Sequence, residues 1–159
     1  MGTINQNKVS LMIEKDQTPI MFQFFTEIGI IEQLIRAKLE RALPDGIKIS
    51  QFSVLHHLIR LQGKWSPARL ANAFQVTKAA MTNTLQRLES RGLIKIEADP
   101  SDGRGKLVSL SLAGRKMHEK CVKNVGPLLI NIEQEFDGQK FLIALPFLEE
   151  LRSYLDDNR

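Results

Sequence analysis

The chain has 159 residues, of which 43% are hydrophobic and 25% charged, and its net charge is +4. This size and apolar content fit one domain, or two closely joined parts, with a buried core, while so small a charge does not identify a nucleic-acid-binding protein. The single cysteine excludes an internal disulfide, and the lack of a signal-peptide pattern or a long apolar run predicts a cytoplasmic protein that does not enter the membrane.

The N-terminal part combines a polar arm with a strongly apolar helix. Residues 1–18 show no clear periodicity, and we expect a loose arm. A helix is predicted from Ile20 to Leu43, and its first half is apolar almost all round. Such a helix must be covered on every side, which favours a homodimer over the alternative, a core helix enclosed by its own chain.

The next helix carries two neighbouring histidines. Ser50 is the predicted cap of this helix, which runs to about Gln62. His56 and His57 lie on it and point about 100° apart, which makes them a poor pair of metal ligands. No third ligand has a suitable spacing, so we predict no metal site.

Two further helices are separated by a short turn. Ser66 and Pro67 are typical of the first positions of a helix over PARLANAF. Thr77 is the predicted cap of a second helix, which ends at Arg91-Gly92. A short helix, a turn and a second helix in this order predict a helix-turn-helix.

The second of these helices has one apolar and one polar face. Met81, Leu85 and Leu88 lie on one side, and the only acid, Glu89, lies toward the edge of that side. The opposite face is small and polar, with cations at its edges: Ala79, Thr82, Asn83, Gln86 and Ser90, flanked by Lys78 and Arg87. Hydroxyls and amides suit base edges and cations suit phosphates, so this face predicts DNA contact. A solvated polar face is the alternative.

The segment after the helix-turn-helix predicts a two-stranded wing. Apolar residues alternate with polar ones in two short runs: Ile94, Ile96 and Ala98, then Val108 and Leu110. Between them, residues 99–106 hold a proline, glycines and turn-forming polar residues, which predict an irregular loop. Arg104 on such a loop suits a narrow minor groove, and Asp102 is close enough in sequence to orient it. An ordinary turn pair is the alternative.

Two helices with apolar stripes close the chain. Ser111 is the predicted cap of a helix from about Leu112 to Phe136, which Pro127 should bend. A last helix is predicted over FLIALPFLEELRSYL, starting at Phe141. We expect these two helices and the first helix to form a dimerisation lobe.

Three segments follow one another along the chain: LANAF in the short helix, VTKAAMTNTLQRLESRGLI through the second helix, and DPSDGRGKLVSLSLAGR through the wing. In this order they resemble the MarR family of bacterial winged-helix regulators, in which an Asp-x-Arg motif at the tip of the wing is common. Gln75 stands where the family commonly has glycine, which costs about 1 kcal/mol if the turn needs a positive φ. Asn83 stands where many members have arginine.

The resemblance implies a mainly α fold with a small antiparallel β wing of two to three strands. A winged helix-turn-helix would be joined to a helical dimerisation lobe. We divide the chain into an arm and dimerisation helix at 1–47, a DNA-binding domain at 48–112 and C-terminal dimerisation helices at 113–159.

Together these features predict a homodimeric repressor that binds double-stranded DNA at a near-palindromic operator. The residues predicted to read base edges are Thr82, Asn83, Gln86 and Ala79. Those predicted to contact phosphates are Ser66, Thr77, Lys78, Arg87 and Lys106. Arg104, oriented by Asp102, is predicted to enter the minor groove. A winged-helix module that binds another protein is the alternative, and no nucleophile, phosphate-loop or metal motif supports an enzyme.

The resemblance also bears on regulation. It implies an effector, a small phenolic or aromatic acid, rather than a cofactor. We expect His56 and His57 to supply at least one side chain to the effector crevice, between their helix and the dimerisation helices.

Overall fold

The computed structural model describes residues 19–158 and confirms a mainly helical fold with a small β wing. In chain order its elements are α1 (Ile20–Ala42), α2 (Ile49–Leu61), α3 (Pro67–Ala73), α4 (Lys78–Ser90), β1 (Ile94–Asp99), β2 (Asp102–Leu110), α5 (Leu112–Phe136) and α6 (Gly138–Asp157). The predicted loose arm falls in residues 1–18, outside the described residues. Within residues 19–158, no helix has the length and apolar character needed to cross a membrane.

Helix α1 is a compact unit by itself as far as Arg41, and the chain from Ala42 onward forms a second unit. The helix begins where the sequence predicts and ends one residue earlier. None of its 23 residues is buried, and several large apolar side chains are exposed, among them Ile20, Phe22, Ile31 and Leu34. Contact of so much apolar surface with water costs free energy.

The core of the second unit is built from α2, α4, the wing and α5, and α3 adds Leu70 and Ala71. Each contributes buried apolar side chains: Val54, Leu55 and Leu58 from α2, Met81, Leu85 and Leu88 from α4, Ile94 and Val108 from the wing, and Cys121 and Val125 from α5. Burial raises the pKa of the Cys121 thiol, which therefore packs as a small apolar group. The predicted buried face of α4 is confirmed.

Helix α2 does not begin as predicted, because Ser50 is not its cap. The helix begins at Ile49, and Oε1 of Gln51 accepts a hydrogen bond from the backbone amide of Lys48 at 2.9 Å. Ile47 is only 1% exposed, so it fixes the chain in the core immediately before the helix. With the chain fixed there, the side chain of Gln51 takes the capping role that the sequence predicts for Ser50.

Three other helices begin as predicted. The hydroxyl oxygens of Ser66, Thr77 and Ser111 accept hydrogen bonds from the backbone amides three residues further on, at 3.2, 3.1 and 2.9 Å. Gly92 has a φ of 67° just after α4, the left-handed conformation expected of a residue that ends a helix.

The two C-terminal helices are each continuous. Helix α5 continues through Pro127, and α6 continues through Pro146. Helix α6 begins ahead of the predicted start at Phe141, because Oδ1 of Asp137 accepts a hydrogen bond from the amide of Gln139 at 3.1 Å and so caps an earlier turn. Many apolar side chains of α6 are exposed, among them Phe141, Leu142, Ile143, Leu145, Phe147 and Leu148.

A close approach of backbones joins the end of α4 to the start of α5. The Ser111 hydroxyl donates to the carbonyl oxygen of Gly92 at 2.7 Å, and the Ser111 amide donates to the carbonyl oxygen of Leu93 at 3.2 Å. Gly114 is buried in this corner, where a Cβ added to it would lie 1.9 Å from the carbonyl oxygen of Leu93. The corner therefore requires glycine at position 114.

The turn between α3 and α4 contains a strained residue. Gln75 has a φ of 54°, as expected if it replaces a glycine at this position. The left-handed conformation costs a side-chain-bearing residue about 1 kcal/mol or more. Nε2 of Gln75 donates to Oδ1 of Asp156, in the last turn of α6, at 3.1 Å. The side chain thus makes a contact that glycine could not make.

Candidate nucleic-acid interface

Helix α4 presents its polar face to solvent. All the residues of α4 predicted to contact DNA are exposed: Lys78, Ala79, Thr82, Asn83, Gln86 and Arg87. Glu89 is exposed as well, which is compatible with its predicted place toward the edge of the buried side. An ionised carboxylate is costly to remove from water, which accounts for its outward position.

Two threonines of α4 turn their hydroxyls back onto the helix. Oγ1 of Thr82 donates to the carbonyl oxygen of Lys78 at 2.8 Å, and Oγ1 of Thr84 donates to that of Ala80 at 3.1 Å. Thr82 therefore offers its methyl group and an oxygen lone pair outward. That combination suits a thymine methyl or a base amino group better than a base acceptor.

The wing is a tight antiparallel hairpin. Strands β1 and β2 pair from Ile94 with Leu110 to Ala98 with Lys106, and the register shifts after Ala98. Trp65 adds an isolated antiparallel β-bridge to β2. Its amide donates to the carbonyl oxygen of Val108 at 3.0 Å, and its carbonyl oxygen accepts from the Val108 amide at 2.8 Å. The prediction of two to three strands is confirmed.

The prediction of an irregular loop over residues 99–106 is wrong, because β2 already begins at Asp102. Oδ1 of Asp99 accepts from both the amide and the hydroxyl of Ser101, at 2.8 and 2.6 Å, and so closes the turn within two residues. Ala98, predicted to face inward, is exposed, since the register shift beside it ends the alternation.

Asp102 acts on Arg104 through the main chain. Oδ1 of Asp102 accepts a hydrogen bond from the backbone amide of Arg104 at 3.0 Å. The side chain of Arg104 is exposed on β2. Asp102 thus fixes the stretch of strand from which the guanidinium projects, and it leaves that group available to an outside partner.

Helix α4 and the wing border an open cleft of about 830 Å³. Predicted DNA-contacting residues from α4, from β2 and from the cap of α3 line it: Ser66, Lys78, Thr82, Gln86, Asp102, Arg104 and Lys106. Among the described residues, four others of that set lie outside the lining: Thr77, Ala79, Asn83 and Arg87. The cleft therefore brings cations of the helix and of the wing to opposite sides of one space.

The sequence gives no sign of an ion pair at this cleft. Nζ of Lys64 donates to Oε2 of Glu97 at 2.8 Å, and Glu97 lines the cleft. This hydrogen bond lowers the pKa of the Glu97 carboxyl, so Glu97 is ionised but partnered. The pairing weakens the repulsion that Glu97 would otherwise exert on a phosphate. The two residues are 33 positions apart, beyond any local pattern.

Like Lys64, Arg69 is a cation near the predicted interface that the sequence did not predict to have a role. It is exposed in the first turn of α3, and its guanidinium carbon lies 4.3 Å from the centroid of the Trp65 ring. A cation over an indole face is held in place by the ring quadrupole. The spacing of four residues in WSPAR is the one signal that could have indicated it.

This helix-turn-helix and wing match a known family. The model of the MarR family matches residues 45–105. The multiple antibiotic resistance protein MarR of Escherichia coli is 31% identical over 114 residues, which cover 69% of this chain and 78% of that protein. The chain belongs to the MarR family. The transcriptional regulator HosA of Escherichia coli O111:H- is 30% identical over 115 residues, covering 72% of this chain and 81% of HosA.

A solved MarR structure is similar to this chain over most of its length. A mutant of Escherichia coli MarR complexed with operator DNA has a TM-score of 0.67 and 27% identity, covering 82% of this chain and 96% of that one. Membership of the MarR family makes the chain a DNA-binding regulator of transcription and not an enzyme. The family and the winged-helix fold predicted from the sequence are confirmed.

The adjacent histidines of this MarR-family chain face different neighbours. Nδ1 of His56 lies 3.0 Å from Nε2 of His118 on α5. The ring of His57 packs against those of Trp65 and Phe74, with centroids 4.6 and 5.1 Å apart. Across the described residues, no three His, Cys, Asp or Glu side chains come together as metal ligands. The predicted place of the two histidines beside an effector stays a prediction.

We expect His118 to make this MarR-family protein less stable in mild acid. Burial, followed by the charge of His56, lowers the pKa of His118 below the ordinary 6.5. The unfolded chain then binds the proton more tightly, so the free energy of unfolding falls as the pH drops below 6.5. His118→Gln, which keeps a polar atom near Nε2, should flatten this fall in urea unfolding between about pH 7.5 and about pH 5.5.

His57, whose pKa is also lowered by burial, should contribute to the dependence on pH that survives in His118→Gln. In the double variant His57→Gln, His118→Gln, the free energy of unfolding should therefore depend on pH even less. Superimposable pH profiles for the unchanged protein and His118→Gln would contradict the assignment.

Proposed function

We propose that the chain is a homodimeric, sequence-specific repressor that binds a near-palindromic operator and is controlled by a small ligand. The cleft between α4 and the wing carries this proposal, because Lys78 and Gln86 on one side face Arg104 and Lys106 on the other. Such a cleft suits a strand of duplex DNA, with α4 in the major groove and the wing at the neighbouring minor groove. The MarR structure with operator DNA supports the same use of the fold.

The side chains divide by chemistry into three kinds of contact. Proposed base readers are Thr82, Asn83, Gln86 and Ala79. Proposed phosphate contacts are Ser66, Thr77, Lys78, Arg87 and Lys106. Because the capping oxygens of Ser66 and Thr77 only accept from amides, their hydroxyl protons are free to be donated to phosphate. Arg104 enters the minor groove on a strand whose main chain Asp102 fixes.

A second copy of the chain is the proposed partner of the exposed apolar helices. Helix α1 has no buried residue, and α6 exposes a row of large apolar side chains. Pairing about a two-fold axis would cover these surfaces and set two copies of α4 about 34–36 Å apart, one turn of DNA. A near-palindromic operator follows from that symmetry.

Ligand control is proposed through the spacing of the two recognition helices. A ligand lowers operator affinity only if it binds more tightly to the form of the dimer in which the two recognition helices are spaced wrongly for the operator. Proteins of similar fold include BpsR of Bordetella bronchiseptica, whose DNA binding is regulated by 6-hydroxynicotinic acid, and RdhR in its 2,4-dichlorophenol-bound form. These ligands support a small aromatic or phenolic acid as the effector here, with His56 and His57 as candidate contacts.

Selection of preferred duplexes from a random pool tests this function and gives the half-site and its spacing. Gln86→Ala should then lower discrimination at one base pair of each half-site about tenfold, because Gln86 is an exposed residue of α4 that lines the cleft and its amide suits a base edge. Competition gel shifts against duplexes that vary one base pair at a time measure this change. Ser90→Ala is the control, since Ser90 is the exposed last residue of the same helix and is not among the proposed DNA contacts.

Two outcomes of these experiments contradict the proposal. One is a random-pool selection that returns no common sequence. The other is a Gln86→Ala protein that ranks the duplexes as the unchanged protein does.

A further inference from the structure

One pair of polar side chains on α4 lies outside the cleft between helix and wing. Nε of Arg87 donates to Oδ1 of Asn83 at 3.1 Å, one helical turn apart. Both residues are exposed. Guanidinium has no acceptor, so the atom of Asn83 that faces it is the oxygen and not the nitrogen. The chemistry of the pair thus decides which way the Asn83 amide is turned.

This orientation limits what Asn83 can offer to DNA. An asparagine that recognises adenine uses both ends of its amide, accepting from the base amino group and donating to the ring nitrogen. Here the oxygen is engaged by Arg87, and Nδ2 with its two N–H groups is the free end. A base edge that presents acceptors alone fits such a donor. Guanine presents two such acceptors side by side in the major groove, N7 and O6, whereas thymine presents only O4 beside a methyl group. Guanine therefore matches the two N–H groups of Asn83 better.

The pair also limits Arg87. With Nε bonded to Asn83, the Arg87 guanidinium is tethered to the helix and its two terminal nitrogens remain available. Because Asn83 lies one turn nearer the N-terminal end of α4, it is the one placed deeper in a major groove. Arg87 is placed toward the phosphates at the groove edge.

We propose that Asn83 and Arg87 act as one unit, in which Asn83 donates to a guanine of the half-site and positions Arg87 on the adjoining phosphate. The inference rests on the proposed function and adds to it a named base and a positioning role. Thr82, whose hydroxyl proton is committed to the Lys78 carbonyl, complements the unit by offering an acceptor and a methyl group to a neighbouring base pair.

Asn83→Asp separates the two roles of Asn83. The carboxylate keeps an acceptor for Arg87 but replaces the N–H donor by a second acceptor. Preference at one base pair should therefore move from guanine to cytosine or adenine, whose amino groups donate. The experiment measures competition for a panel of duplexes carrying each base pair at each position of the selected half-site. Asn124→Asp, the same charge change at an exposed site on α5, should leave the preference unaltered.

Asn83→Ala removes both roles. Discrimination at the same base pair should fall about tenfold. In a double-mutant cycle, Arg87→Ala should weaken operator binding at least about threefold less in the Asn83→Ala protein than in the unchanged one. This cycle decides the positioning role even if the extra carboxylate of Asn83→Asp suppresses DNA binding. Thermal unfolding of each variant checks that the fold is kept.

The outcomes separate this inference from the function beneath it. An unchanged protein without any base preference would overturn the proposed function itself. A specific unchanged protein whose Asn83→Ala variant keeps full discrimination at every position would overturn the guanine contact alone. Additive effects of Asn83→Ala and Arg87→Ala would overturn the positioning role.

Discussion

Gly114→Ala should lower the free energy of unfolding by about 3 kcal/mol, the upper part of the range for an overpacked core. The added methyl carbon would lie 1.9 Å from the carbonyl oxygen of Leu93 and 2.8 Å from a methyl group of Leu110. The oxygen belongs to the backbone that enters β1, so it cannot move aside as a flexible side chain would. Urea unfolding at one fixed protein concentration measures the change, which keeps any dimer contribution equal between proteins.

Gly126→Ala is the matched control on the same helix. Nothing lies within 4 Å of a Cβ added there, and alanine favours a helix over glycine by about 0.5–1 kcal/mol. The same substitution should therefore stabilise at position 126 and destabilise at position 114. Equal denaturation midpoints for the unchanged protein and Gly114→Ala would contradict the close approach of Gly114 to the Leu93 carbonyl oxygen.

Arg104→Ala should weaken binding to the selected operator about a hundredfold. Loss of a charge-assisted contact costs about 1.5 kcal/mol, and a dimer loses one such contact at each wing. The slope of log affinity against log salt should also become shallower by about 0.9 for each wing. Affinity measured over a series of salt concentrations gives both quantities in one experiment.

Lys123→Ala provides the control for the loss of charge. Lys123 is an exposed cation on α5, outside the lining of the cleft, so its removal should leave the salt slope nearly unaltered. If Arg104→Ala and Lys123→Ala shift the salt slope equally, the wing makes no special contact with DNA. If Arg104→Ala leaves affinity unaltered, the wing assignment is wrong.

Local patterns were enough to predict most elements of this fold. The hydroxyl caps at Ser66, Thr77 and Ser111 act within three residues of themselves, and their positions needed only the sequence nearby. The buried side of α4 followed from helical spacing for the same reason. The family resemblance depended on these local segments, and it has been confirmed.

The errors arose where distant parts of the chain decide local structure. The start of α2 depends on the burial of Ile47, which no pattern around Ser50 reveals. The wing pairs closer to its tip than its glycines suggest, because partner strands supply the hydrogen bonds that offset their flexibility. The ion pair of Lys64 and Glu97 joins residues 33 positions apart, and only the fold brings Lys64 to this residue of the cleft.

The contact between Gln75 and Asp156 has a practical consequence. It joins residues 81 positions apart, so the turn that leads into the recognition helix is attached to the last turn of α6. A purification tag or a truncation that breaks this contact would therefore alter the turn before α4, the helix proposed to read DNA, although it changes no residue there. Affinities measured with fusions at that end should be compared with those from tags placed elsewhere before they are assigned to the untagged regulator.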